Sequence, residues 1–203
     1  MALDHWLALC AACWLGAASP GPSLAVVTAA TLGSSRRAGL AAALAHGAGV
    51  GLYALATVTG LALLLAGAPG LLLATQLLGA GYLAFLGLRA LRSPLTFALS
   101  RGAASQPARD GFLIAFLNPK LALFMLALFS QFLVPGAGWE QKLIMVVTAA
   151  GIDAGWYSAV VLLIGAPAVR TRLERGGGWL GRGFGVLLLT LAAWVALEAL
   201  RAL

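Results

Sequence analysis

Residues 38–66 read AGLAAALAHGAGVGLYALATVTGLALLLA, an unbroken and almost wholly apolar run. His46 is the one side chain in this run that can carry a charge near neutral pH. A helix needs about 20 apolar residues to cross the hydrocarbon core of a bilayer, and this run is longer than that. We therefore predict that residues 38–66 form a membrane-spanning helix.

The rest of the chain has the same character. Hydrophobic residues make up 62% of the 203 residues and charged residues 9%, with a mean hydropathy of +0.97, whereas a soluble domain carries about 25% charged residues. This composition excludes a soluble single-core enzyme, and it excludes a disordered chain, which needs low hydrophobicity. It predicts an all-α integral membrane protein with six transmembrane helices, at about residues 6–32, 38–66, 70–91, 111–134, 143–165 and 180–200.

Basic residues predict how these helices are oriented. A net charge of +7 would suggest nucleic-acid binding in a soluble protein, but in a membrane protein Lys and Arg concentrate in the cytoplasmic loops. We therefore expect the first, third and fifth loops in the cytoplasm, both termini outside it, and no nucleic-acid partner. Ten of the thirteen Lys and Arg residues lie in or beside these three loops: Arg36, Arg37, Arg89, Arg92, Arg101, Arg109, Arg170, Arg172, Arg175 and Arg182.

A motif recurs in the two halves of the chain. Gly-x-x-x-Gly-x-Tyr begins at Gly47 and again at Gly151. Three helices per half would place the second half in the opposite orientation, which is the inverted-repeat plan of many secondary transporters. We predict one transmembrane transporter domain over the whole chain, with repeats at about 1–92 and 111–203 joined by a cytoplasmic loop at about 93–110. Chance matching in a glycine-rich chain is the alternative.

Two proline motifs interrupt the first and fourth predicted helices, at Ser19-Pro20-Gly21-Pro22-Ser23 and Asn118-Pro119-Lys120. Proline removes a backbone donor and breaks a helix. The unpaired N–H groups of the following half-helix suit a carboxylate, Asn is a good N-cap, and the lysine adds positive charge. Prolines that only shape helix packing are the alternative, with the lysine reaching the membrane interface. We predict a substrate site formed by Pro20, Gly21, Pro22, Ser23, Asn118, Pro119 and Lys120.

Two ionisable residues lie deep inside predicted helices. Asp153 is near the middle of the fifth helix, where an ionised carboxylate costs at least about 2.5–3.5 kcal/mol, so it should be paired, hydrated or protonated. His46 lies in the second helix and can relay a proton or bind substrate. We predict that both residues act in ion coupling and can face one cavity. A protonated aspartate hydrogen-bonded across helices and a neutral packing histidine are the structural alternatives.

Other motifs allow more than one interpretation. Tyr53, Trp156 and Tyr157 follow the glycine pairs and either line a substrate pocket or fill the core. The glycine pairs allow close helix packing, within the chain first and in a homodimer second. Cys10 and Cys13 form a C-x-x-C motif, which suggests thiol chemistry in a soluble redox protein but small buried residues in an apolar helix. The chain has no P-loop, H-E-x-x-H or G-x-S-x-G motif, so we expect no cofactor, no bound metal and no enzyme activity.

Several of these motifs also carry a resemblance to a known family. The Ser-Pro-Gly-Pro stretch at 19–22, the Gly-Tyr-Leu-Ala-Phe-Leu-Gly run at 81–87 and the Phe-Leu-Asn-Pro-Lys run at 116–120 resemble the LysE/RhtB family of bacterial amino-acid exporters, over nearly the whole chain. The resemblance implies inverted halves, export of amino acids or related small zwitterions, and coupling to a proton or sodium gradient. Family members often have Asn or Asp at the position of Ser23, so the resemblance leaves the substrate open.

Together these features predict a secondary active transporter in the bacterial inner membrane. Its partners are the lipid bilayer, a small-molecule substrate and H⁺ or Na⁺. A transporter of another small solute or of a metal cation is the main alternative, although a metal site needs several carboxylates, thiols or imidazoles together. A membrane thiol–disulfide relay is the third hypothesis.

Overall fold

The computed structural model describes residues 1–19, 21–67, 69–92, 106–134 and 136–164, with part of 182–197, and every structural statement below concerns these residues. They contain no strand. Some further helical residues are described between 182 and 197. The rest of the sixth predicted span and most of the loop at 93–110 lie outside the described residues. The helices with defined bounds are α1 Leu3–Ala18, α2 Pro22–Gly33, α3 Arg36–Gly67, α4 Pro69–Arg92, α5 Pro107–Phe116, α6 Pro119–Phe132 and α7 Trp139–Ile164.

Prolines divide two of the predicted spans into half-helices. α1 and α2 meet at a bend of 63°, and α5 and α6 meet at a bend of 55°. In each pair the second half-helix begins with a proline, Pro22 in α2 and Pro119 in α6. A proline is well suited to this position because its missing N–H would have had no partner in the helix and its fixed φ is already helical. The structure therefore has a break at each of the two predicted motifs.

The long helices α3 and α7 pack against each other in antiparallel fashion. Gly47 lies beside Ala154, and Gly51 lies beside Ala150, so residue numbers fall along α7 as they rise along α3. A Cβ atom on Gly47 would lie 2.6 Å from the Cβ of Ala154, which is closer than two carbons approach. Glycine therefore allows the two backbones to come together, as small residues do between membrane helices.

A second close approach holds α5 against α3. A Cβ atom on Gly111 would lie 2.2 Å from the carbonyl oxygen of Ala42. One on Gly49 would lie 2.9 Å from the Cβ of Ala115. The contact partner moves from Gly111 to Ala115 along α5 as it moves from Ala42 to Gly49 along α3. The two helices therefore run in the same direction. The half-helix α5 is thereby fixed on the helix that also packs on α7.

The helix ends gather at two ends of the molecule. At the first, which we call the amino-terminal end, Nε1 of Trp6 donates to Oγ1 of Thr148 over 3.1 Å, and Nε2 of Gln141 donates to the carbonyl oxygen of Phe132 over 3.0 Å. The second, which we call the arginine end, carries the exposed residues 36–37 at the start of α3. The two helix breaks lie between these ends.

The described helices have the length and surface of membrane spans. Residues 36–60 of α3 and all of α7 are long and apolar enough to cross a bilayer, and the described part contains up to four spans if each bent pair counts as one. Large apolar side chains cover the outside, including Leu78, Leu117 and Val147 at 76%, 69% and 67% exposure. Such a surface suits lipid and not water. The protein is therefore an α-helical membrane protein, and the full six-span inverted repeat stays a prediction.

Candidate functional site

The two helix breaks meet at a small cavity lined by both polar and apolar groups. Its volume is about 40 Å³, which is enough for a few water molecules. The lining combines residues from both halves of the chain, so neither half forms it alone. The described lining residues are Gly16, Ala17, Ser19, Gly21, Pro22, Ser23, His46, Asn118, Lys120, Leu121, Phe124, Asp153, Tyr157 and Leu188.

The basic side of the cavity lies between the two breaks. Nζ of Lys120, at the start of α6, donates a hydrogen bond to Oγ of Ser19, which follows α1. The same nitrogen would lie 3.8 Å from a Cβ atom on Gly21. Asn118 caps α6, because its Oδ1 accepts from the backbone N–H of Lys120 over 3.0 Å. The lysine is thus held beside two half-helix starts, whose dipoles add positive potential.

The acidic side of the cavity is a buried pair of side chains. Nδ1 of His46 and Oδ2 of Asp153 are 2.6 Å apart, and the two residues are only 1% and 5% exposed. The Tyr157 ring meets the imidazole edge-on at 4.8 Å between centroids. A buried carboxylate is costly unless it is paired. The pair therefore joins α3 to α7 at the place where the apolar core would otherwise exclude Asp153.

The second ring nitrogen of His46 has no such partner. Nε2 is buried and makes no hydrogen bond in the described part of the chain. A buried polar atom without a partner costs about 1–3 kcal/mol, so it points to a proton, a water or a ligand in the working cycle. If Nδ1 donates to the ionised Asp153, a neutral ring presents its lone pair at Nε2. In that tautomer Nε2 would be a hydrogen-bond acceptor at the wall of the cavity without a partner in the described part of the chain.

An apolar wall completes the cavity. It is formed by Leu121 and Phe124 of α6 together with Leu188. Phe124 comes four residues after Lys120 and therefore lies on the same face of α6. Its ring rests against Gly16 of α1, where a Cβ atom would lie 2.5 Å from the ring edge. The glycine thus sets how close the ring sits to α1.

The structure brings together most of the predicted site residues. Pro20 lies outside the described residues, and Pro119 is described only by its backbone, as the first residue of α6. The predicted residues that line the cavity are Gly21, Pro22, Ser23, Asn118, Lys120, His46, Asp153 and Tyr157.

Two residues suggested as pocket lining lie elsewhere. Tyr53 packs against Phe116 with 6.0 Å between ring centroids, and Trp156 packs against Trp14 at 5.3 Å. Trp156 directly precedes Tyr157, so the helix turns its side chain about 100° away from the cavity. Tyr53 is seven residues beyond His46, nearly two turns or about 10 Å further along α3. Both side chains pack against other aromatic rings, and neither belongs to the described lining.

Other lining residues were missed from the sequence. Leu121 and Phe124 carry no polar group, yet the four-residue spacing from Lys120 to Phe124 could have placed the phenylalanine on the lysine's side of α6. Ser19 belongs to the first proline motif, and its hydroxyl is now seen to accept from Lys120. No local signal connects Leu188 or Gly16 with the cavity, because both come to it only through helix packing.

The described residues offer no metal centre. Among them, no group of three or more His, Cys, Asp or Glu side chains lies close enough to hold a metal ion. Cys10 and Cys13 are both unbridged thiols, and Cys13 is buried. The chemistry available at the cavity is therefore that of a lysine, a carboxylate–imidazole pair and a few hydroxyl groups.

Comparisons with known proteins cover most of the chain. The family model of the LysE type translocators matches residues 14–199. An uncharacterized membrane protein of Vibrio cholerae is 36% identical over an alignment that covers 57% of this chain and 62% of that protein's length. An uncharacterized membrane protein of Pseudomonas aeruginosa is 30% identical over an alignment that covers 84% of this chain and 88% of that protein's length. No solved structure matches the chain.

Proposed function

The chain belongs to the LysE type translocator family, and we propose that it exports amino acids or related small zwitterions from the cytoplasm in exchange for protons. Translocators of this family are transporters and not enzymes. The observation that carries the proposal is that Lys120 and Asp153 line one cavity. A positive and a negative group at one small site match the two charges of an amino acid.

The basic side is the proposed site for the substrate carboxylate. Lys120 and Ser19 offer an ammonium and a hydroxyl group at the point where the two breaks meet. The half-helix α2 begins at Pro22 next to them, and its first N–H groups are free of helical partners. Half-helix N-termini that face anionic substrate groups are a recurring feature of transporters. A carboxylate bound here would be stabilised by both sources of positive potential.

The acidic side is the proposed site for the substrate ammonium group and for the coupling ion. Asp153 and the imidazole of His46 can hold a proton or face the ammonium, but one carboxylate cannot neutralise two cations at once. Binding of a proton therefore weakens binding of the substrate at the same cavity, which is what an exchanger requires. We favour H⁺ over Na⁺ because the partner of Asp153 is itself a proton acceptor.

The proposed orientation follows the basic loops. The arginine end faces the cytoplasm, and both termini face the outside of the bacterial inner membrane. The two repeats, at about 1–92 and 111–203, then form one transporter domain around the cavity. Rocking of one repeat against the other would open the cavity to each side in turn.

The experiment is transport in proteoliposomes with the substitution Asp153→Asn. The purified protein is first screened against amino acids for thermal stabilisation, and the best ligand is used as the transported solute. We expect a pH gradient to drive substrate accumulation in the wild type and to fail to do so in Asp153→Asn, because an amide cannot take up the proton. Substrate-for-substrate exchange at equal pH should persist with a raised KM, because the amide oxygen of Asn can still accept from the substrate ammonium group but carries no charge.

Asp110→Asn is the matched control, because Asp110 lies in the first turn of α5 and is not among the residues that line the cavity. This variant should keep gradient-driven accumulation. If Asp153→Asn accumulated substrate as the wild type does, the coupling role of Asp153 would be lost. If no amino acid stabilised or crossed with the wild type, the proposed substrate class would be wrong.

A further inference from the structure

We infer that the transported amino acid has an uncharged, apolar side chain and that Phe124 limits the size of that side chain. The inference rests on the proposed function, since it concerns the part of the substrate that remains once its carboxylate and ammonium groups are bound. It is carried by two features of the cavity: the number of acids in its lining and the apolar wall on α6.

The described lining contains one acid, Asp153. One oxygen of this carboxylate already shares a hydrogen bond with Nδ1 of His46, and the substrate ammonium is assigned to the other oxygen. A lysine or arginine substrate would bring a second cation into a space that already contains Lys120. A buried charge without a partner is strongly unfavourable. The described lining thus offers no second carboxylate for a cationic side chain, which disfavours cationic substrates.

Anionic side chains are disfavoured for the same reason with the sign reversed. Lys120 is the cationic group assigned to the substrate carboxylate, and a second carboxylate would have to share it. Among the described residues, the other ionisable groups facing this space are Asp153 and His46 on the acidic side and the Tyr157 hydroxyl. An ionised carboxylate at this position would repel a second anion. An uncharged side chain avoids both conflicts.

Once rocking of the repeats has opened the cavity, the apolar wall gives an uncharged side chain a surface to pack against. Leu121, Phe124 and Leu188 form the part of the lining that neither charged group of the substrate uses. Burial of apolar surface there contributes about 25 cal/mol per Å², whereas a polar side chain would lose its hydration without gaining a partner. The cavity therefore selects for apolar side chains.

Phe124 sets the depth of this apolar part. Its ring fills the space between α6 and Gly16, and the Cβ position of Gly16 lies only 2.5 Å from the ring edge. The ring therefore cannot move further towards α1. A smaller residue at position 124 would enlarge the space beside the apolar wall. Gly16→Ala would act in the opposite sense, because the added methyl group forces the ring away from α1.

The first test separates charge from size. Lysine and norleucine have side chains of nearly equal length, and only lysine ends in an ammonium group. In competition for binding to the full-length wild-type protein in detergent, we expect norleucine and leucine to compete and lysine and glutamate to be weaker by at least about tenfold, or 1.4 kcal/mol. Lysine binding as well as norleucine would overturn the inference while leaving amino-acid transport intact. Failure of all four would instead count against the proposed function.

The second test uses Phe124→Leu with Phe129→Leu as its control. Phe129 lies on the same helix and is fully buried in the core, and it is not part of the described lining. We expect Phe124→Leu to raise the affinity for phenylalanine relative to alanine several-fold, and Phe129→Leu to leave that ratio unchanged. A ratio of affinities does not depend on the folded fraction of a sample. An unchanged ratio in Phe124→Leu, or an equal change in both variants, would show that Phe124 does not limit substrate size.

Discussion

At the scale of single residues, the pair of His46 and Asp153 decides what the cavity can do. Each residue could be singled out from the sequence, because an acid or a histidine inside a membrane helix is costly and therefore unusual. Their contact could not be predicted, since the two residues are separated by 107 positions. Phe124 shows a weaker case: its four-residue spacing from Lys120 places it on the same face of α6, but an apolar residue on an apolar helix carries no signal that this face meets a cavity.

The contact between His46 and Asp153 should stabilise the folded protein, so that loss of one partner destabilises it more than loss of both. His46→Leu leaves the buried Asp153 without its partner, and an unsatisfied buried polar group costs about 1–3 kcal/mol, or more where the group is charged. The double variant His46→Leu/Asp153→Leu removes both polar groups, so we expect it to recover most of the melting temperature lost in His46→Leu, without recovering proton coupling. Thermal unfolding of the three proteins in detergent measures this. Equal losses in the single and double variants would mean that the contact adds nothing to stability.

At the scale of helices, the breaks were predictable and the packing faces were not. A proline acts on its own helix, so the positions of Pro22 and Pro119 were enough to place both interruptions. α7 begins at Trp139, four residues before the predicted span, because a helix can continue beyond the hydrocarbon core into the interface. Which face of such a helix meets its neighbour depends on the whole assembly, and α7 has little polar asymmetry to reveal it.

The two equivalent glycines of the repeated motif make this difference measurable. Gly47 packs against Ala154, whereas a Cβ atom on Gly151 would meet no described atom within 4 Å. We expect Gly47→Ala to lower the melting temperature by forcing α3 and α7 apart. Gly151→Ala should leave it unchanged or raise it slightly, because alanine is favoured over glycine in a helix by about 1 kcal/mol. Melting temperatures of the two variants provide the comparison, and a larger loss for Gly151→Ala would contradict the observed packing of α7.

At the scale of the whole molecule, the polar cavity lies between two apolar clusters. Leu9, Phe129 and Met145 belong to the larger cluster, and Val27 and Val161 to the smaller. The sequence of each long helix crosses from one cluster to the other at its polar residue. In α3, His46 stands between Ala43 and Val50, and in α7 Asp153 stands between Ala149 and Tyr157. One apolar cluster therefore closes the cavity on each side. Alternating access would have to open these two clusters one at a time.

The last prediction concerns which of the two apolar clusters faces the cytoplasm. Ser34 is exposed beside the arginine end, and Gly138 is exposed before α7 at the amino-terminal end. In a background without Cys10 and Cys13, we expect Gly138→Cys to react with a membrane-impermeant maleimide in intact spheroplasts, and Ser34→Cys to react only after permeabilisation. The reason is that loops rich in Lys and Arg stay in the cytoplasm. The reverse labelling pattern would place the arginine end outside, and the larger apolar cluster would then close the cavity towards the cytoplasm instead of the exterior.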